Sequence, residues 1–179
     1  MQWKRRHFVG SMLFVVAVGS AGLATAVSNA RGQRASRASR LTSFPTIAWY
    51  NEEGELIERV PEPGVLAIVS SRCGHCRNAL VSLAKGQVRE RSAALTIIVV
   101  DSLKPMRAFV DSIRLHASLM QLRNADSEEL KTLGVRAVPT IYWIGLRGRI
   151  LDAQIGELTP VEAQLWMQRA MRPVTPNSE

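Results

Sequence analysis

Cysteine is scarce in this chain. Its 179 residues hold two, Cys73 and Cys76. That excludes a scaffold stapled by several disulfides and a four-cysteine zinc site. Acidic residues are missing from the N-terminal part, where the first acid is Glu52. Seven bases (Lys4, Arg5, Arg6, Arg31, Arg34, Arg37 and Arg40) stand in that acid-free part, and the remaining residues carry 16 bases against 15 acids. Seven of the eight net positive charges therefore belong to the N-terminal part, and the rest is nearly neutral at +1. A phosphate-binding surface needs its charge on the folded domain, so nucleic acid is not an expected partner. A mean hydropathy of +0.01 excludes a polytopic membrane protein. The 46% of apolar residues excludes a mainly disordered chain and suits one domain with a sizeable core.

The one long uncharged stretch follows Lys4, Arg5 and Arg6. It covers residues 8–30 and is most apolar over residues 12–18. Ala24-Thr25-Ala26 is an A-x-A site of the kind signal peptidase cuts. Residues 8–27 number 20, enough to span a bilayer as a helix. Residues 1–30 thus read as a cleaved signal peptide or as a single retained anchor. Either places the domain outside the cytoplasm, in the periplasm or on the outer face of the cytoplasmic membrane. Arg5-Arg6-His7-Phe8 resembles the twin-arginine export motif, with Lys4 where Ser or Thr is usual. Residues 31–44, in which Arg alternates with Ser, Ala, Gly and Gln, read as a solvated linker that would lie near anionic headgroups if the anchor is retained.

The expected domain covers residues 45–172, with a disordered tail over 173–179. Residues 47–50 and 55–60 flank a turn signal, Asn51-Glu52-Glu53-Gly54, and predict a hairpin. Residues 65–70 (VLAIVS) and 95–100 (LTIIVV) suit buried strands. Between them, Cys76, Ala79, Leu80, Leu83 and Ala84 recur at helical spacing, and Gly86 is the expected terminator. Pro105 suits the first turn of a second helix, and residues 118–122 a further strand. Asp126 and Glu129 resemble a capping box before a short helix ending at Gly134. Residues 140–144 and 150–155 predict two antiparallel strands, and Thr159-Pro160-Val161-Glu162 opens a last helix. The order implies an α/β fold, a mixed sheet with helices on both faces.

The chemistry lies in Cys73-Gly74-His75-Cys76. A Cys-x-x-Cys pair at a strand–helix junction puts the first sulfur at the helix N-terminus and the second one turn on, within disulfide reach. Free N–H groups and the helix dipole favour the thiolate of Cys73. His75, when protonated, and Arg72 add positive charge. Stabilising the thiolate favours the reduced pair and makes the Cys73–Cys76 disulfide a better oxidant. Gly74 leaves the first sulfur uncovered for a protein substrate, and Cys76 faces the interior as the resolving thiol. Zinc would have only His7, His75 and His116 beside the cysteines, with His7 in the leader, so no metal is expected. A purely structural disulfide would close a tiny loop and restrain the unfolded chain little. His116 reads as a surface residue. Trp49, Trp143 and Trp166 read as core or partly buried aromatics.

Strand VLAIVS, then CGHC heading a helix, then Val138-Pro139-Thr140 before strand TIYWI, resembles the thioredoxin superfamily. The resemblance covers about residues 45–171. It implies a cis Pro139 packed beside the cysteines, with Val138 offering its backbone to an extended substrate peptide. The 66-residue spacing from Cys73 to Pro139, the preceding hairpin and the Gly148-Arg149-Ile150 turn are similar to the exported TlpA-like (ResA/CcmG-type) branch, and CGHC is typical of protein disulfide isomerases. Two positions depart from the pattern. Arg72 replaces the usual Trp, and Ala67 stands where thioredoxin has an acidic proton acceptor.

These residues imply an exported thiol:disulfide oxidoreductase acting on protein cysteines. Cys73 is its nucleophile, Cys76 its resolving thiol, His75 its tuning group, and Arg72, Gly74, Val138 and Pro139 its client contacts. No metal or organic cofactor is implied; the expected partners are client proteins and a membrane or exported redox partner. A reductant in cytochrome c maturation, or a thioredoxin-like binding or chaperone module with an incidental disulfide, are the alternatives. Fusing residues 1–45 to a reporter active only outside the cytoplasm tests export. The expected result is an active reporter; an intact but silent fusion overturns export. Replacing Arg5 and Arg6 by Lys should block it only if the twin-arginine route is used.

Overall fold

In the computed structural model, residues 42–87, 94–123 and 125–171 are described. The expected signal or anchor, most of the linker and the tail lie outside them. Among the described residues no helix is long and apolar enough to cross a membrane.

The chain runs β1 (Ile47–Tyr50), β2 (Leu56–Arg59), β3 (Gly64–Val69), α1 (Gly74–Gln87), β4 (Leu95–Val99), α2 (Leu103–Ser112), β5 (Ser118–Leu122), α3 (Ser127–Thr132), β6 (Thr140–Ile144), β7 (Ile150–Ile155) and α4 (Pro160–Met171). The seven strands form one mixed sheet in the order β2-β1-β5-β4-β3-β6-β7. Strands β3, β4 and β5 are parallel neighbours, joined through α1 and α2. The hairpin β1–β2 extends one edge and β6–β7 the other, both antiparallel.

Every residue of β3 is buried. That is the reason its sequence reads as an unbroken apolar run rather than an alternation. On one face Val65, Ala67, Val69, Ile97 and Val99 pack against Leu80 and Leu83 of α1, Met106 and Val110 of α2, and Trp166 and Met167 of α4. On the other, Leu66, Ile68, Ile98 and Tyr142 pack against Trp49, Phe44 and Leu133. Each fully buried aliphatic side chain contributes about 1.5–3 kcal/mol. Tyr142 keeps its hydroxyl satisfied by donating to the Leu133 carbonyl at 2.8 Å, and burial pushes its phenol up to about 12.

Residues 42–44, which the sequence places in the linker, belong to the sheet's margin. The Phe44 N–H donates to the Gly148 carbonyl (2.7 Å), the Ile150 N–H donates to the Thr42 carbonyl (3.0 Å), and Phe44 is 2% exposed. The helix starts follow the sequence signals. Asp126 accepts from the Glu129 N–H at 2.8 Å. Thr159 and Glu162 cap reciprocally: the Glu162 N–H donates to Thr159 Oγ1 (3.2 Å) and the Thr159 N–H donates to Glu162 Oε2 (2.9 Å).

Gly86 differs from its expected role. Helix α1 continues through it to Gln87, and Gly86 is buried against α4. A Cβ there would lie 3.1 Å from the Ala163 carbonyl carbon and the Gln164 nitrogen. Its missing side chain is what lets the two helices approach, so it is a packing residue and not a stop. Gly86→Val is expected to destabilise the fold by about 1–3 kcal/mol through overpacking. Gly74→Ala, with nothing within 4 Å of its Cβ position, should stay within about 0.5 kcal/mol. Denaturant titration of both variants checks this; equal stabilities would show that the helix contact has slack.

Candidate active site

Strand pairing brings three segments to one corner. Ile68 of β3 is in register with Thr140 of β6, and Val69 with Val99 of β4. The loop after β3 (Ser70 to Cys73), the second residue after β4's end (Asp101) and the residues before β6 (Val138 and Pro139) therefore meet. The Val138–Pro139 bond is cis, as the resemblance implied. Cys73 Sγ lies 3.7 Å from the Val138 carbonyl oxygen, which accepts its S–H.

Cys73 immediately precedes α1 and is half-buried, while Cys76, one turn on, is fully buried. The Cys76 N–H donates to Cys73 Sγ at 3.1 Å. This is one of the unsatisfied amides at a helix start, the donor a thiolate at that position needs. Both cysteines are free thiols, the reduced state of the expected pair. Burial pushes the Cys76 thiol up to about 12; its hydrogen bond with Cys73 and the charges of Cys73 and Asp101 act in the same direction. The two sulfurs are thus unequal. One is reachable and backed by an N–H; the other is enclosed and holds its proton.

His75 projects into solvent, its side chain 79% exposed, and its Nδ1–H donates to Glu157 Oε1 at 2.5 Å. Asn78 Nδ2 donates to the same oxygen at 3.2 Å. The His75 bond, followed by that of Asn78, holds the Glu157 carboxyl below the usual carboxylate range. Glu157 stands in the turn between β7 and α4. There the Gly156 N–H donates to the Pro139 carbonyl (2.8 Å). That turn ties the proline segment to the head of α1. Sequence reasoning missed Glu157, because nothing local marks a loop carboxylate that meets a histidine 82 positions away.

Arg72, expected to add charge at Cys73, has its Nε 3.7 Å from Asp101 Oδ2 with its side chain 88% exposed. Its charge is partly offset by that carboxylate. Gly74 is exposed in open space, consistent with an uncovered sulfur. Ala67 is buried in β3, so the corner has no acid on that strand.

Asp101 is the second residue that sequence reasoning did not place in the site, although an Asp closing a β-branched strand was the available signal. Its Oδ1 and Oδ2 accept the Ser71 N–H (2.8 and 3.1 Å), and Oδ2 also accepts the hydroxyls of Ser70 (2.8 Å) and Ser71 (3.0 Å). Burial would raise its pKa. The Ser71 N–H, the Ser70 hydroxyl, the Ser102 N–H and the Ser71 hydroxyl outweigh burial and hold it at about 2. No group of three or more metal-ligating side chains exists among the described residues. His116 is exposed, Trp49 and Trp166 are buried, and Trp143 is half-buried.

Neither a protein-family model nor a curated protein sequence matches the chain. Solved structures do. The thioredoxin domain of a Bacteroides vulgatus thiol-disulfide oxidoreductase aligns with a TM-score of 0.59 at 14% identity, over 73% of this chain and 98% of that one. StoA from Bacillus subtilis aligns with a TM-score of 0.52 at 20% identity, over 70% and 98%. A secreted Mycobacterium tuberculosis disulfide oxidoreductase homologous to E. coli DsbE aligns with a TM-score of 0.56 at 15% identity, over 69% and 96%. The class is thereby defined: this chain has the thioredoxin fold, with a Cys-x-x-Cys pair at the head of α1 facing a cis proline. Within that fold, its structural neighbours include thiol-disulfide oxidoreductases of the DsbE and StoA kind.

The inequality of the sulfurs has a direct readout. Brief alkylation of the reduced native protein near pH 8 should add one adduct, located at Cys73 by peptide mass, with a second only after unfolding. Equal labelling of Cys76 in the native state would contradict the enclosed geometry.

Proposed function

We propose that the chain is an exported thiol:disulfide oxidoreductase acting on protein cysteines. The observation that carries this reading is the placement of the half-buried Cys73 Sγ. It takes the Cys76 N–H at 3.1 Å on one side and faces the Val138 carbonyl at 3.7 Å on the other. An attacking sulfur needs a thiolate-stabilising donor and a backbone edge on which an extended client can lie. Both are within reach of this atom. Export is supported by the basic, then apolar, N-terminal sequence and by the description of one structural neighbour as secreted.

In the reducing direction, the Cys73 thiolate attacks one sulfur of a client disulfide. An S–S bond forms between Cys73 and the client, the client's own S–S bond breaks, and its second sulfur leaves as a thiolate. Cys76 then gives up its proton and attacks Cys73 Sγ. The mixed disulfide breaks, the client leaves with two thiols, and Cys73–Cys76 becomes a disulfide. Two electrons have passed to the client. The same steps run backwards when the chain starts oxidised and the client starts reduced. The sulfurs alone carry the electrons, so a protein redox partner, exported or in the membrane, resets the pair. The high proton affinity of Cys76 keeps it out of the first attack. Its position one turn from Cys73 gives it a high effective concentration in the second. His75 and its Glu157 partner, with Arg72, set the charge around the attacking sulfur, and Gly74, Val138 and Pro139 leave room for the client backbone.

Trapping tests the assignment. Cys76→Ala should leave Cys73 joined to clients, as high-mass bands on a non-reducing gel of alkylated extracts that vanish with reductant. Cys73→Ala should show at least severalfold fewer. Equal trapping, or none in either variant, overturns the roles, and an absence of insulin-reduction and thiol-oxidation turnover would favour a binding module. The reduction potential of the pair sets direction. A value near about −270 mV indicates reductase work, and one near that of glutathione or higher indicates oxidase or isomerase work.

A further inference from the structure

Residues 70–72 form the short bridge between β3 and the first cysteine, and three of its hydrogen-bond donors converge on one carboxylate, while the Ser71 carbonyl accepts Arg77 Nη2 at 3.3 Å. The Ser71 N–H and both serine hydroxyls donate to Asp101, and Arg72 Nε approaches it at 3.7 Å. The bridge is also knitted to itself. The Ser70 hydroxyl oxygen accepts the Arg72 N–H at 3.2 Å while its proton goes to Asp101, and the Cys73 N–H donates to the Ser70 carbonyl at 3.2 Å. Asp101 is in turn held from below: its carbonyl accepts Gln121 Nε2 of β5 at 2.7 Å. The side chain of Asp101 is only 14% exposed. Buried backbone donors and hydroxyls need partners, and among the described residues Asp101 is the carboxylate that accepts from these.

We infer that Asp101 is a positioning residue of the redox site: its carboxylate holds residues 70–72 in the turn that delivers Cys73 to the head of α1, and its charge biases the pair towards Cys73 as the attacking sulfur. The inference rests on the exchange chemistry proposed above. Charge works alongside geometry here, since the Asp101 charge is one of the influences that keep the proton on Cys76. A proton-acceptor role is a poor fit. A carboxylate satisfied by these donors, and held at about 2, is a weak base. Asp101 therefore does not replace the acid that Ala67 lacks.

Asp101→Asn and Asp101→Ala in the full chain test this. Asparagine can still accept the Ser71 N–H through Oδ1 and donate to a serine hydroxyl, so it keeps the turn and removes the charge. Loss of a nearby negative charge eases the ionisation of a thiol. For Asp101→Asn the expected result is a severalfold faster resolution by Cys76, read as faster release of glutathione from a pre-formed Cys73–glutathione mixed disulfide. In the Cys73→Ser background, the same change should move the Cys76 titration midpoint downward. Asp101→Ala should also lose hydrogen-exchange protection at the Ser71 and Cys73 amides, which Asp101→Asn retains. A glutathione-release rate and a Cys76 titration midpoint both unchanged in the Asn variant overturn the inference. So does unchanged amide protection in the Ala variant; should that variant fail to fold, the Asn result decides alone. All readouts use the chain's own sulfurs and amides. A wild type inert towards protein disulfides would instead overturn the oxidoreductase reading.

Discussion

The seating of β3 between a parallel β4 and an antiparallel β6 is the constraint on which the rest depends. Register pairs Val69 with Val99 and Ile68 with Thr140, and the Val100 N–H closes on the Val69 carbonyl at 2.9 Å. Those pairings bring the outgoing ends of two strands and the incoming end of a third to one corner. The first supplies the cysteines, the second Asp101 and the third the cis proline. A one-residue slip would turn each strand's side chains to the opposite face. With both faces of β3 buried under helices and loops, the hydrophobic core itself enforces the register that assembles the chemistry.

Two kinds of residue surround the sulfurs, and they act at different ranges. The Cys76 N–H and the Val138 carbonyl touch Cys73 directly. Glu157 and Asn78 reach the site through the histidine ring and its partner carboxylate, and Asp101 acts through the serine turn and, by its charge, on Cys76. Burial then separates the two thiols more strongly than either group does, since it is the leading cause of the raised Cys76 value. The two thiols thus differ in depth as much as in charge.

Most of the architecture was legible because its signals are local. Turn residues, continuous apolar runs, helical spacing and cap residues marked the seven strands and four helices of the described residues; the Thr159–Glu162 box closed in both directions, and Asp126 accepts the Glu129 N–H. The Cys-x-x-Cys pair was legible for the same reason, since two residues of spacing on a helix fix the geometry almost alone. What escaped depends on tertiary neighbours. Gly86 looked like a stop until Ala163 and Gln164 of α4 were found against it. Phe44 looked like linker because one aromatic in a polar run carries no period; Tyr142, at 5.5 Å between ring centroids, and the Gly148 carbonyl hold it in the core. Glu157 and Asp101 are ordinary loop acids until the strand order places them beside the cysteine loop. Arg72 was read as a charge for the sulfur, but the carboxylate that shares it lies 29 positions further along the chain.

The pairing of residues 42–44 with the β6–β7 turn has a consequence for how the domain is presented to its surroundings. Thr42 and Phe44 bond to residues 148–150, beyond the far end of β6, where Ile144 lies opposite Gly64. Cys73 follows the other end of β3. A six-residue strand is roughly 20 Å long at about 3.3 Å per residue. Whatever precedes Thr42 therefore joins the domain at the pole opposite its sulfur.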